Sequence, residues 1–125
     1  MNLMRFPIIA AILLNTTFAI GMPQSQFVGN WQTPINRITH RSSITVKLRE
    51  QQQSLGGSIV LVNPDTSEIE LPILNLRVTH NAIEFETHDK EATFYWTLTV
   101  QKHDRGLLHG SCREMLIDER VQRQH

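Results

Sequence analysis

From residue 44 onward, apolar side chains recur at every second position. "ITVKLRE" (44–50) sets Ile44, Val46 and Leu48 against Thr45, Lys47 and Arg49. "ILNLRV" (73–78) sets Leu74, Leu76 and Val78 against Asn75 and Arg77. "IEFET" (83–87) adds Ile83 and Phe85, and "TFYWTLTVQ" (93–101) adds Phe94, Trp96, Leu98 and Val100. Successive side chains of a strand point to opposite faces, so each segment has one buried face and one wetted face. No segment combines a helical period with caps.

Turn formers separate these segments: Gly56-Gly57, Asn63-Pro64-Asp65, His80-Asn81, His88-Asp89-Lys90, His103-Asp104-Arg105-Gly106 and Arg113-Glu114. Connections this short suit hairpins, which makes neighbours in sequence antiparallel neighbours in space. The expected fold is all-β, an antiparallel meander of about eight or nine short strands. Closure into a barrel removes the edges that an open sheet would expose. Its interior is expected to hold Trp31, Ile44, Val46, Leu48, Leu74, Leu76, Val78, Ile83, Phe85, Phe94, Trp96, Leu98, Leu108, Gly110 and Cys112. Pro34 to Ser43 reads as a loop, and the chain after Arg123 as a frayed tail.

The first residues obey a different rule. Arg5 precedes the unbroken apolar run Ile8 to Leu14, and small residues follow at Ala19 and Gly21. This is the order of a secretory signal, and the run is too short for a comfortable membrane span. Residues 1–21 are therefore read as a signal peptide, cleaved after Ala19 or Gly21, and 22–125 as one domain. A secreted or periplasmic address follows, with no membrane span once the signal is removed.

Charge narrows the partners. The chain carries 12 basic and 12 acidic residues, and only Arg5 lies in the leader, so the domain is close to neutral. That balance offers no electrostatic basis for binding nucleic acid. A single cysteine, Cys112, can form neither an internal disulfide nor a structural zinc site, so the core must hold the fold. The histidines, His40, His80, His88, His103, His109 and His125, lack the spacing of converging metal ligands. Cys112 reads as a small buried hydrophobe rather than a nucleophile. Glu68, Glu70, Glu84 and Glu86 alternate along strands as a solvated face does, not as a catalytic carboxylate pair. No catalytic residue, metal or cofactor is expected.

Gly29-Asn30-Trp31 opens the first strand of this meander. A Gly-x-Trp start followed by an antiparallel barrel resembles the calycin pattern of lipocalins and fatty-acid-binding proteins. That resemblance implies that Trp31 packs across the closed end, beneath a basic residue of the last strand, Arg120 or Arg123. A fuller resemblance runs from Phe27 to about Arg123. "GNW", "ITVKL", "LGGSIVLVNPD", "LPILNLRV", "NAIEFE", "TFYWTL" and "LLHGS" are similar to the lipocalin-like barrel domain of secreted bacterial proteins, sometimes found ahead of an α/β-hydrolase. It implies fold and secretion and carries no catalytic residues; no Gly-x-Ser-x-Gly elbow is present. Two positions depart from the pattern. Trp96 stands where a small residue is usual, and Cys112 where an aromatic is. Trp96 is expected opposite Gly110, its ring over the glycine.

Two functions fit. In the first, a small hydrophobic ligand lies inside the barrel among Phe85, Phe94 and Trp96, oriented by Glu119 or Tyr95. In the second, a monomeric barrel with a filled core meets another protein, such as one of the cell envelope, through its outer face or rim. An aromatic anchor for that contact is available in Tyr95. Interior volume distinguishes the two.

Overall fold

The computed structural model describes residues 24–34 and 43–125. The signal peptide and, apart from its end residues Pro34 and Ser43, the expected loop with His40 lie outside them. A 3-10 turn, Gln24–Phe27, leads into nine strands. These are β1 (Gly29–Gln32), β2 (Ser43–Gln51), β3 (Ser54–Val62), β4 (Glu68–Pro72), β5 (Leu74–Val78), β6 (Ala82–Asp89), β7 (Ala92–Lys102), β8 (Arg105–Cys112) and β9 (Met115–Gln124). Among the described residues there is no α-helix, and no helix long and apolar enough to cross a membrane.

All pairings are antiparallel, in the order β4-β3-β2-β1-β9-β8-β7-β6-β5. The short β1 joins the two ends of the meander by pairing with both β2 and β9. The sheet's own ends, β4 and β5, are separated only by Ile73. The chain from 68 to 78 thus pairs first with β3 and then with β6, and the Ile73 N–H donates to the Gly57 carbonyl at 3.0 Å. The result is a nearly closed barrel.

Register carries the alternation around the wall. One inward row runs Leu71, Ile59, Val46, Trp31, Arg123. A second runs Phe85, Trp96, Gly110, Ile117, and a third Ile83, Leu98, Leu108, Glu119. Phe27, Trp31, Ile59, Trp96, Leu98 and Leu108 are fully buried members of one continuous hydrophobic cluster. Each large apolar side chain taken from water contributes about 1.5–3 kcal/mol, which replaces the cross-links this chain cannot make.

The structure corrects several local expectations. Gly56-Gly57 lies inside β3; the hairpin turn is Gln52-Gln53, with φ of 51° and 72°. Two consecutive positive φ values make the tight turn that matches strand twist, so the turn geometry falls on residues that do not advertise it. Gly57 serves close packing instead, because a Cβ there would lie 1.8 Å from the Lys47 carbonyl oxygen. The tail after Arg123 stays in the sheet, with Gln124 facing Asn30. Leu74, Leu76, Val78, Phe94 and Cys112 are only half-buried. The first three sit on a strand that ends the sheet and has a paired partner on one side only. Phe27, Leu55, Ile59, Leu71, Val100 and Val121 complete the core.

Candidate functional site

Three regions of the wall could carry function: the sealed end, the aromatic stack, and the outer face. The sealed end is built around Trp31. Its indole N–H donates to the Phe27 carbonyl at 2.9 Å, so the 3-10 turn is fastened beneath the ring. The Arg123 guanidinium lies 4.4 Å from the ring centroid. It also donates to the backbone carbonyls of Val28 at 2.8 Å, Gln26 at 2.8 Å and His103 at 2.7 Å. Gly29 makes room for this, since a Cβ there would sit 3.1 Å from Arg123 Cγ, on a backbone at φ 137°. Glycine tolerates that conformation and other residues do so at a cost. Arg123, and not Arg120, therefore covers Trp31; Arg120 lies on the outer face opposite Leu107.

Asp104 completes this end. Its carboxylate lies 3.5 Å from Arg123 Nε, 3.0 Å from His125 Nε2 and 3.6 Å from His103 Nε2. The hydrogen bond with His125, assisted by the nearby His103 and Arg123 charges, holds the carboxyl below its usual range despite partial desolvation.

The aromatic stack lies on β6 and β7. Trp96 stacks with Phe94 at 5.5 Å and with Phe85 at 6.4 Å between ring centroids. Its ring covers Gly110, where a Cβ would come within 2.5 Å. Its indole N–H donates to the Thr87 hydroxyl at 2.9 Å, and Thr87 is itself fully buried. Sequence alternation placed Trp96 over Gly110 but did not single out Thr87, because threonine in a strand reads as ordinary β-propensity. Phe85 and Trp96 are buried in the core, whereas Phe94 and Glu119 remain partly accessible.

Among the described residues, no group of three or more His, Cys, Asp or Glu could hold a metal ion. His109 faces outward and meets Asp118 at 2.6 Å; His88 faces Glu86 at 3.4 Å. Glu70 is engaged by the Ser58 hydroxyl at 2.6 Å, and Glu84 by Arg77 at 2.6 Å. His88 and Glu86 are neighbours along the wetted face of β6, and the other contacts are cross-strand pairs of such a face.

Two grooves mark the outer wall. The first, about 520 Å³, lies over β5, β6 and β7 and is lined by Asn75, Arg77, Glu84, Glu86, Tyr95 and Thr97, with Leu76, Phe85 and Trp96. It lies where the β5–β6 register shifts between Leu74 and Arg77, with Asn75 at φ 52°. Tyr95, 56% exposed, stands at its side. The second, about 570 Å³, lies over β7, β8 and β9 and is lined by Arg105, Leu107, Arg120, Gln101, Gln122 and Pro34, with Gly106 and Val121. Each groove gathers side chains from three strands through their register, so no local motif announces it.

Comparison with protein-family models finds no match, and neither the curated proteins nor the solved structures yield one. The assignment of an all-antiparallel barrel therefore rests on the strand order and register themselves.

Proposed function

We propose that this is a non-catalytic, lipocalin-like barrel of the calycin type that is exported by its leader and works as a protein-interaction module. The observation that carries this reading is the Trp96 stack. An indole fixed by Thr87, laid over Gly110 and stacked on Phe85 and Phe94 occupies space that a ligand carrier leaves empty. The outer wall, in contrast, offers concave surface and the exposed Tyr95. Aromatic side chains at such positions anchor protein contacts at low entropic cost.

A second reading draws on Phe94, Ile117 and Glu119, which face inward yet stay partly accessible. A small hydrophobic ligand could rest among them without entering the stack. Native mass spectrometry combined with uptake of an apolar fluorophore separates the two readings. The interaction module is expected as a bare mass that takes up no fluorophore, while Trp96→Ala gains uptake. An apolar ligand retained by the natural protein, or one-to-one fluorophore binding without the substitution, supports the carrier instead.

A further inference from the structure

Several charges on the barrel wall are settled in pairs. Lys47 faces Glu70, Arg77 faces Glu84, His88 faces Glu86 and His109 faces Asp118. Arg105 and Arg120 differ in lying together in one groove without such a partner. Among the described residues no carboxylate lies within ion-pair distance of either, and no acidic side chain lines the groove they share.

Register brings the two together. Arg120 is opposite Leu107, and Arg105 is opposite Gln122, so the arginines are diagonal neighbours on one face of β8 and β9. Such neighbours lie roughly 7–8 Å apart, close enough for two guanidinium groups to address one ligand. Two like charges at that spacing repel unless an anion joins them. Between them Leu107 is 40% exposed, and Pro34 extends the apolar floor. Gln101 and Gln122 flank the groove, and each amide can both donate to and accept from a peptide backbone. The first groove lacks this character, because Arg77 and Glu84 neutralise each other inside it.

We infer that the groove over β7, β8 and β9 receives an acidic, extended segment of a partner protein. Its carboxylates meet the Arg105 and Arg120 forks, which match carboxylate geometry. An apolar side chain of the segment covers Leu107, and its backbone lies along Gln101 and Gln122. This rests on the reading of the outer wall as the working surface and names the chemistry of what binds there.

The test is a fluorescence-anisotropy titration of the folded protein with a short labelled peptide alternating glutamate and leucine. A peptide alternating lysine and leucine and inorganic phosphate serve as competitors. Saturable binding of the glutamate peptide is expected, weakened about three- to fivefold by Arg105→Ala or Arg120→Ala and lost in the double variant. Arg77→Ala, in the other groove, should leave it unchanged, and high salt should weaken it. Absence of saturable binding, or binding indifferent to both arginines, overturns the inference. Displacement by phosphate at concentrations comparable to the peptide overturns it in favour of a small-anion site. None of these outcomes changes the fluorophore result, so the proposed function stands or falls separately.

Discussion

A single arginine organises the sealed end. Arg123 satisfies three backbone carbonyls, those of Gln26 and Val28 partly buried and that of His103 exposed, and it covers Trp31. Its removal strands those acceptors, so Arg123→Ala should cost about 2–4 kcal/mol in urea unfolding. Arg123→Lys should recover little, because an ammonium cannot span three carbonyls as a fork does. Near-native stability of the lysine variant would mean that charge alone holds this end. Gly110 makes the complementary case. A methyl there meets the Trp96 ring at 2.5 Å, so Gly110→Ala should lose about 1–3 kcal/mol by overpacking. Combined with Trp96→Leu, the loss should fall short of the sum of the single losses, because the ring that the methyl would strike is gone. Strict additivity in a double-mutant cycle would deny the contact.

The strands differ in how they are held, and this decides how much of each was legible in the sequence. β7 and β8 are paired on both sides and read clearly: Trp96, Leu98 and Leu108 alternate and are buried. "SIVLV" in β3 does not alternate, so Ile59 could not be told from Val60 before the register was known. Both are in fact buried. β5 alternates well, yet Leu74, Leu76 and Val78 are only half-covered, because periodicity reports the face of a side chain and not the presence of a neighbouring strand. Gly-x-Trp at the start of β1 was legible because Gly29 and Trp31 each answer a local need. The Arg105–Arg120 groove was not, since it depends on β8–β9 register. Pairing on one side has a measurable consequence in amide hydrogen exchange. Protection should be highest in β7 and β8 and lowest in β4 and β5, the two ends of the sheet. Equal protection in all four would show that the seam is as firmly bonded as the centre.

For the molecule as a whole, acid is the revealing perturbation. Asp104 and Asp65 both have carboxyl pKa values lowered from 3.8, the first through His125 and the second through the Ser67 hydroxyl and backbone N–H. A depressed folded value means that the unfolded chain binds protons first. Each group's stabilising contribution is therefore complete above its ordinary value and disappears as pH falls through the lowered one. Asp104→Asn should reduce the melting temperature near neutrality, with the difference from the natural protein shrinking as pH drops below about 3.8. A difference that stays constant down to the acid limit would deny Asp104 its charge-dependent role.

The place of β1 between β2 and β9 also sets an order of events. Every other pairing joins strands adjacent in the chain and can form as a local hairpin, whereas β1 meets β9 only across nearly the whole domain. Closing that loop carries the largest chain entropy and falls late. On the ribosome, β1, the first-made of the described strands, must wait for β9. Trp31 thus keeps its contact with water after Trp96, whose partners lie on β6, β7 and β8, has lost its own. One indole records the growth of the sheet, and the other the moment at which it is sealed.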